Sequence, residues 1–306
     1  MTNTETSVTP STPQTPGEAH NTRKIPARRM SLDEALSEVP RHFAHEGTIV
    51  GGHVMASLSS LFPDGEDFFV RSVRRYRDQI TDPVLKKQVG GFIGQEAIHG
   101  REHRVFNARL AELGYPTKAY EKMTFQGLKF YEKVVGKKRC LALTAALEHF
   151  TASIAELLLT DEWTRTETGH PAVHDLFVWH ALEESEHKAV AFDVYRAIGG
   201  DERTRIQVMN GMRVFFPVLI VAMTTISVAL DPDTYRHPVE LVRSIRRVLR
   251  SPLMGKELFH TLALYCRKGF HPDDIDTDDL VAEWTDTLFG PSGTLNDKLA
   301  GSSSAA

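Results

Sequence analysis

Apolar residues recur at intervals of three and four positions along most of the chain, which is the period of an amphipathic helix. The spacing is clearest in four long segments, at residues 64–80, 83–113, 138–165 and 171–198. No stretch shows the sustained alternation of apolar and polar residues that is typical of a half-buried strand. The pattern therefore predicts an all-α protein, with a helical bundle at about residues 60–200 and additional C-terminal helices at about residues 201–290.

Residues at the ends of these segments support the helical interpretation. Asp64 is a plausible N-cap of the first segment, and Pro83 follows Asp82 at the position where proline opens a helix. The fourth segment starts at Pro171 and stops at the glycine pair 199–200. Each segment is therefore expected to be a separate helix of the bundle.

Both ends of the chain have the composition of disordered tails. Residues 1–28 are rich in Thr, Ser and Pro and lack the apolar run of a signal peptide, which predicts a disordered tail on a cytoplasmic protein. Residues 296–306, which end in "GSSSAA", are expected to form a second tail. A single helical domain is predicted between them, at residues 29–295.

Composition narrows the classes of partner. The 306 residues are 41% hydrophobic and 25% charged, as in a soluble globular protein, and the formal net charge of −4 argues against a nucleic-acid partner. The two cysteines, Cys140 and Cys266, are far apart and lack metal-type spacing. This pattern fits a reducing compartment and predicts neither a disulfide framework nor a thiolate site.

One segment of the C-terminal region has no charged residue. It reads "VFFPVLIVAMTTISVAL" and covers residues 214–230, slightly fewer than a membrane-spanning helix needs. We expect a buried helix that covers the bundle, or an oligomer contact such as a homodimer interface, in preference to membrane insertion. The basic segment "LVRSIRRVLR" at 241–250 is expected to be a solvated helix face, with peripheral contact to an anionic membrane as the alternative.

The spacing Glu-x-x-His places a carboxylate and an imidazole about one turn apart on one helix face, close enough to hold one metal ion. Random placement of 22 Glu and 14 His among 306 residues would produce about one such pair. The chain contains four, at Glu96/His99, Glu167/His170, Glu184/His187 and Glu257/His260. The second lies in a turn before Pro171 and the fourth lacks partner helices, which leaves the first and third as candidates.

These two pairs belong to a larger set. A dinuclear carboxylate site in a four-helix bundle needs one Glu from each of two helices and Glu-x-x-His from each of the other two. The four predicted helices supply this set in order, as Glu66, Glu96/His99, Glu148 and Glu184/His187. Each Glu-x-x-His pair is expected to serve mainly one ion, with Glu148 or Glu66 as the bridge between the ions. His103 and His180 fall within about 60° of the paired residues on their helices, so each could be an extra ligand, a hydrogen-bond partner of a ligand, or a core histidine.

Neighbouring carboxylates and small residues complete the prediction. Glu102, Glu183 and Glu186 point away from the ligand faces by about 60° to 120°, which suits solvent exposure or hydrogen bonds to ligands. Small residues share the face of Glu148 and could either leave room for a substrate or O₂, or allow close helix packing. They are Thr144, Ala145, Thr151, Ala152 and Ala155.

Several segments of the sequence resemble those of the bacterial family of predicted metal-dependent hydrolases, which belongs among the ferritin-like proteins. They are "FPDGEDFFVRSVRRYRD", "FIGQEAIHGREH", "EHFTASIAE", "HALEESEHKAVAFDVY" and "CRKGFHPDD". The resemblance implies a ferritin-like four-helix bundle. The ligand pattern is also similar to that of ferritin-like di-iron oxygenases, and His180 is similar to the added histidine of the arylamine N-oxygenases. His103 departs from that pattern.

The sequence is compatible with three functions. The first is an O₂-dependent oxidoreductase in which two metal ions, expected to be Fe with Mn or Zn as alternatives, act on an apolar small molecule with an unidentified electron donor. The second is a hydrolase that uses the same ions to activate water. The third is a ferroxidase-like metal-binding protein without an organic substrate. We expect the first, because a carboxylate site among Phe and Trp residues would protect reactive oxygen species from side reactions.

Overall fold

The computed structural model describes residues 22–301, and most of this range consists of helices that are joined by turns and short irregular segments. The one β-type pairing among these residues is an isolated bridge between Met30 and Leu299. The predicted all-α fold is therefore confirmed. The α-helices are α1 (Asp33–Ser37), α2 (Ile49–Ser59), α3 (Phe62–Arg74), α4 (Pro83–Glu112), α5 (Thr117–Val134), α6 (Lys137–Thr160), α7 (Glu162–Thr166), α8 (Pro171–His187), α9 (Val190–Ala197), α10 (Glu202–Leu230), α11 (Pro232–Arg236), α12 (Pro238–Leu249), α13 (Lys256–Leu264) and α14 (Asp278–Phe289).

Four helices form a closed bundle. α3 packs on α4 and α6, and α8 packs on the same two helices from the other side. The start of α4 agrees with the sequence, because the Asp82 side chain accepts a hydrogen bond from Val84 N at 2.9 Å and Pro83 takes the first helical position. Gly199 has a φ of 70°, a left-handed conformation that costs glycine little and that ends α9.

Two predicted segments differ from the observed helices. α3 begins at Phe62, so Asp64 lies in its first turn instead of capping it. The segment predicted at 171–198 is divided into α8 and α9, and the break follows His187 directly. Lys188 at the break is buried, and its Nζ donates a hydrogen bond to Thr277 Oγ1 at 2.9 Å. The chain beyond α13 thus covers the junction of the two helices.

The hydrophobic core has two parts. Along α4, Phe92 belongs to one apolar cluster and Phe106 to the other, and the residues between them include Glu96, His99 and His103. α6 repeats this arrangement, with Glu148 near the transition, and so do α8 and α9 taken together, because α8 contributes to one cluster and α9 to the other, with Glu184 near the junction. The polar residues of the three helices are therefore enclosed by apolar packing at both ends.

The inner ends of both predicted tails pack against the helical body. Ala300 N donates to Arg29 O at 2.7 Å, and Ser31 N donates to Lys298 O at 2.8 Å. Ile25 lies against Gly91 of α4. Disorder predicted up to residue 28 and from residue 296 therefore does not describe these inner parts. The outer parts, residues 1–21 and 302–306, lie outside the described residues, and the division into domains stays a prediction.

By length and composition alone, α6 and α10 could each cross a membrane. α6 is a core helix, because 67% of its apolar window is buried in the protein. Only 17% of the corresponding window of α10 is buried, so the expectation that residues 214–230 form a buried helix is wrong, whereas the alternative expectation of an oligomer contact stays a prediction. One side of α10 packs on α6 and α2, and the rest exposes side chains such as Val214 and Leu230, at 66% and 65%. The cytoplasmic location stays a prediction.

Candidate metal centre

The six predicted ligands and His180 lie together inside the bundle. They form three groups in which one potential ligand atom per residue lies within 4.8 Å of the others. The groups are Glu66 with His99 and His180, Glu96 with His99 and Glu184, and Glu96 with Glu148 and His187. All seven side chains are buried. We call these seven residues the Glu/His cluster.

Nine buried atoms of this cluster make no hydrogen bond of regular geometry with the described residues, although two of them, Glu96 Oε1 and His187 Nε2, lie 3.1 Å apart. They are both carboxylate oxygens of Glu66, Glu96 and Glu148, Oε2 of Glu184, Nδ1 of His99 and Nε2 of His187. A buried polar atom without a partner costs about 1–3 kcal/mol, so nine in one place would be a large penalty. Metal ions would satisfy these atoms, because carboxylate oxygens and imidazole nitrogens are ligands of Fe, Mn and Zn.

Burial disfavours negative charge on three of the four carboxyl groups. Burial, together with the nearby carboxylate of Glu148, raises the pKa of Glu96 to about 8. Burial also raises the pKa of Glu148 to about 7 and holds the pKa of Glu66 well above its usual value. Without a cation these groups retain protons near neutral pH, and bound metal ions would replace those protons.

Glu184 differs from the other three carboxyl groups. Burial acts against its ionisation, but the charge of His187 and hydrogen bonding from His180 outweigh burial and hold its pKa well below the usual value. Its Oε1 lies 3.0 Å from His180 Nε2, 3.4 Å from His187 Nε2 and 3.7 Å from His99 Nδ1. Glu184 therefore occupies the centre of the Glu/His cluster.

Each histidine of the cluster is oriented through its second ring nitrogen. His99 Nε2 lies 2.9 Å from Glu183 Oε2, and His187 Nδ1 lies 2.8 Å from Gln95 Oε1. An acceptor at one ring nitrogen holds the proton there and leaves a lone pair on the other nitrogen. The arrangement thus directs His99 Nδ1 and His187 Nε2 into the cluster.

Burial alone would lower the pKa of His187, but the charge of Glu184 and the contacts with Glu148 and Glu96 hold it well above its usual value. Without a metal ion His187 Nε2 therefore carries a proton, which a bound ion would displace.

His103 supports His180 in the same way. Ser59 Oγ donates to Asn107 Oδ1 at 2.6 Å, which leaves the Ser59 oxygen to accept from His103 Nδ1 at 2.8 Å. His103 Nε2 then accepts from His180 Nδ1 at 2.7 Å. Both ring nitrogens of His103 are occupied and it belongs to none of the three groups, so its candidacy as a ligand is not supported. The chain of hydrogen bonds turns His180 Nε2 toward Glu184.

Three carboxylates that were expected to suit solvent exposure are buried: Glu102, Glu183 and Glu186. Arg28 Nη1 lies 3.0 Å from Glu183 Oε1, and its Nη2 lies 2.7 Å from Glu186 Oε1. Glu183 has the other role that was expected for these residues, a hydrogen bond to a candidate ligand, because its Oε2 lies 2.9 Å from His99 Nε2. Arg28 was not predicted as part of the site because it stood in a predicted disordered tail, and Gln95 was not predicted because it has no distinguishing spacing.

The other two Glu-x-x-His pairs lie away from the cluster. Glu167 and His170 are in the turn before α8, where Glu167 Oε1 binds Arg247 Nη2 at 2.5 Å. Glu257 and His260 are exposed on α13. The structure thus brings together the two pairs that the bundle pattern selected.

A cavity of about 910 Å³ adjoins the cluster and includes Glu66 in its lining. Phe62, Phe69, Leu143 and Phe150 are among the apolar side chains around it. The small-residue face of α6 divides between the two expected roles. Thr151 lines the cavity, whereas Thr144 packs closely enough on α3 for its Oγ1 to lie 2.6 Å from Ser72 Oγ, and Ala145 and Ala155 belong to the core.

The chain matches the model of a known protein family. The family model described as "Predicted metal-dependent hydrolase" covers residues 26–276, which include every residue of the Glu/His cluster. No curated protein and no solved structure matches the chain.

Proposed function

Because the chain belongs to the family of predicted metal-dependent hydrolases, we propose that it is an enzyme whose Glu/His cluster binds two divalent metal ions. The observation that carries the proposal is the set of nine buried potential ligand atoms that make no hydrogen bond of regular geometry. Their number exceeds what one ion needs, because a protein commonly supplies three or four ligands per ion of this kind.

Two of the three groups share no residue, which supports two ions. Glu66, His99 and His180 would hold one ion, and Glu96, Glu148 and His187 would hold the other. Glu184 would be the shared carboxylate, because its Oε1 faces a histidine of each group. This proposal replaces the expectation that Glu148 or Glu66 bridges the ions and that each Glu-x-x-His pair serves mainly one ion.

The surrounding residues would keep the ligands in place and limit the access of water. Glu183, Gln95 and His103 each hold one histidine through its outer ring nitrogen. Phe62, Phe92 and Trp179 pack against His180, His187 and His99, with ring centroids 4.7 to 5.0 Å apart. A site with fixed ligands and apolar walls favours a reaction on an apolar substrate.

Hydrolysis is the first reaction class we propose, because it is the activity for which the family is described. Bound divalent ions would supply Lewis acidity and lower the pKa of water toward neutrality. The substrate would enter the cavity beside Glu66, the member of the cluster that lines it.

Oxidation with O₂ is a second candidate, which the ligand set favours. Carboxylates and histidines that converge from four helices, without a thiolate, are the donor set of di-iron bundle proteins. The apolar cavity beside the cluster could admit O₂ and an apolar substrate together. The expected cofactor is then two Fe(II) ions, and the electron donor would come from outside the chain.

Metal loading followed by activity assays tests these proposals. The protein is freed of metal, loaded separately with Zn(II), Mn(II) or anaerobic Fe(II), and its metal content is measured; about two ions per chain are expected. Turnover of long-chain p-nitrophenyl esters by the Zn or Mn form would support hydrolysis. Oxygen consumption that depends on an added apolar substrate would support oxidation, whereas iron oxidation without organic product would indicate a ferroxidase. Less than one ion per chain would refute the metal centre.

A further inference from the structure

The cavity next to the Glu/His cluster is a long channel between α3, α5, α6 and α10. Its wall on α6 includes Arg139, Leu143, Leu147 and Thr151, which follow each other at four-residue spacing. Twelve residues of helix advance about 18 Å, so the channel is long enough for an extended hydrocarbon chain. Its volume of about 910 Å³ is at the upper end for small-molecule sites.

Charge is confined to the two ends of this channel. Among the described residues of the lining, only Glu66 has an acidic side chain and only Arg139 a basic one. Glu66 marks the end at the cluster, and Thr151, one turn beyond Glu148, lies at the same end. Arg139 lies at the other end, where α6 begins. An apolar channel with one cation at its outer end is complementary to an amphiphile that has an apolar chain and an anionic head.

The outer end is open to solvent and has a guanidinium available for a ligand. Arg139 is exposed, hydrogen-bonds to the Tyr131 side chain and forms no ion pair with any described residue. A guanidinium binds a carboxylate through two parallel hydrogen bonds. Val134, at the end of α5, lines the channel and is 58% exposed, so an apolar side chain also lies at its mouth.

We propose that the channel binds a single-chain amphiphile with an anionic head, such as a long-chain carboxylic acid. The head binds Arg139 and the chain runs along α6 toward Glu66. This inference rests on the proposed function only in placing the chain beside a metal centre. The binding itself does not require metal. The same chemistry is offered by an acid dissolved in water and by an acid held in a membrane.

Calorimetric titration of the protein with dodecanoate, dodecanol and butanoate tests the proposal. Dodecanoate should bind with one molecule per chain. Dodecanol should bind about tenfold more weakly because it lacks the charge that Arg139 recognises, and butanoate should not bind measurably because it buries little apolar area. Equal affinity for butanoate, or many bound molecules per chain, would overturn the proposal.

Two cavity glycines provide variants that should fold. A Cβ added at Gly127 or Gly211 meets no atom within 4 Å, so a larger side chain would extend into the channel. Gly127→Leu and Gly211→Leu should each lower the affinity for dodecanoate at least about tenfold. Gly90→Leu is the matched control, because Gly90 is also helical and unobstructed but lies outside the channel. Equal loss of affinity in all three variants would contradict the proposal.

Two further measurements separate the possible failures. Arg139→Gln should reduce the affinity for dodecanoate to that for dodecanol. Metal content is measured in parallel after metal loading. A protein that takes up no metal but binds dodecanoate would refute the metal centre and not the channel. A protein that takes up metal but does not bind dodecanoate would refute the channel alone. Dodecanoate is also presented in neutral vesicles. Uptake from water or only from vesicles supports the proposal and identifies the source, and uptake from neither overturns it.

A separate surface on α12 carries a second inference. Ser244 Oγ accepts from Val50 N at 2.8 Å and Arg247 binds Glu167, which holds one side of α12 against the protein. The other side exposes a row of apolar residues, of which Val239 and Leu249 are 69% and 63% exposed. The other members of this row are Val242 and Ile245, and the exposed arginines beside it are Arg243, Arg246 and Arg250.

We infer that this face of α12 binds an anionic lipid surface. Arg246 and Arg250 form no ion pair within the described part of the chain, so their charge is available to lipid phosphates. An amphipathic helix with exposed apolar residues and adjacent arginines matches the interface of an anionic bilayer in both polarity and charge.

Vesicle sedimentation tests the lipid surface. Binding should occur with phosphatidylglycerol-containing vesicles, weaken with salt, and be absent with phosphatidylcholine alone. Ile245→Glu should abolish it, and Arg246→Gln should weaken it about fivefold. Arg203→Gln, an exposed arginine on α10, should bind as the unchanged protein does. Equal binding to neutral vesicles, or a dimer in solution that Ile245→Glu converts to monomer, would overturn the assignment.

Discussion

Glu184 is the residue on which the geometry of the cluster depends most. Its Oε1 lies 3.0 to 3.7 Å from one nitrogen of each of the three histidines in the cluster, and these histidines include members of both proposed ion sites. A change at this position should therefore affect both proposed ions.

Replacement of Glu184 tests this directly. Glu184→Ala should lower the bound metal to about half or less of the unchanged protein, because both groups lose their shared carboxylate. Metal content is measured on the purified protein after loading. Glu257→Ala is the matched control, since Glu257 also belongs to a Glu-x-x-His pair but is exposed on α13. Unchanged metal in Glu184→Ala would refute the assignment.

Arg28 is the cation that accompanies two buried carboxylates. Its side chain is 11% exposed, and those of Glu183 and Glu186 are 0% and 4% exposed. Burial raises the pKa of Glu183 to about 7, although Arg28 opposes this. The stability of the region thus depends on an ion pair shielded from solvent.

Removal of the cation should destabilise the fold. Arg28→Ala should lower the free energy of unfolding by about 3 kcal/mol, because two buried carboxylates lose their compensating charge. Urea denaturation measures the change. Arg29→Ala serves as control, since Arg29 is exposed and should change stability by less than about 0.5 kcal/mol. A similar decrease in the free energy of unfolding of both variants would contradict a stabilising role that is specific to the buried ion pair.

At the level of helices, α4 uses one surface for the Glu/His cluster and another for a packing contact. Its inner surface presents Glu96 and His99 to the cluster, and another surface receives the N-terminal segment. A Cβ added at Gly91 would lie 2.3 Å from Ile25 O, so glycine at this position permits the segment to lie directly on the helix. Gly90, its neighbour, has open space.

The adjacent glycines provide a paired test. Gly91→Ala should displace the N-terminal segment and lower the free energy of unfolding by about 1–3 kcal/mol. Gly90→Ala should raise it by up to about 1 kcal/mol, because alanine favours the helix. Urea denaturation gives both values, and faster tryptic cleavage after Arg28 should accompany Gly91→Ala alone. Equal responses would mean that the segment does not pack on α4.

For the molecule as a whole, His53 links distant parts of the chain. Its Nδ1 lies 2.6 Å from Ser227 Oγ in α10, and its Nε2 lies 3.1 Å from Asp231 Oδ2 at the start of α11. Burial lowers the pKa of His53, although the bond to Asp231 acts in the opposite direction. The folded state therefore binds a proton at His53 less readily than the unfolded chain does.

Acid should weaken this link. Above the unfolded pKa of about 6.5, neutral His53 contributes its full stability, which is lost as the pH falls below that value because the unfolded chain gains a proton first. The free energy of unfolding of the unchanged protein should decrease between about pH 7 and pH 5. His53→Gln should show a smaller decrease over the same range in urea denaturation. An identical decrease would exclude His53 as a contributor.

Most of the fold and part of the site could be predicted from the sequence. Helical spacing identified α4 within one residue at its C-terminal end, and the bundle pattern selected the two Glu-x-x-His pairs that the structure brings together. The environment of α10 could not be predicted, because a run of apolar residues has the same composition whether it is covered by protein or left exposed.

The sequence by itself determined the helices and the faces on which Glu96, His99, Glu184 and His187 stand, because helical geometry depends on residues a few positions apart. Only the tertiary structure decided that His103 supports His180 and that Arg28 binds Glu183, which is 155 positions away. It also decided the channel beside Glu66, whose walls come from separate helices. The physical reason is that hydrogen-bond partners and cavities are set by the packing of segments that are distant in the chain.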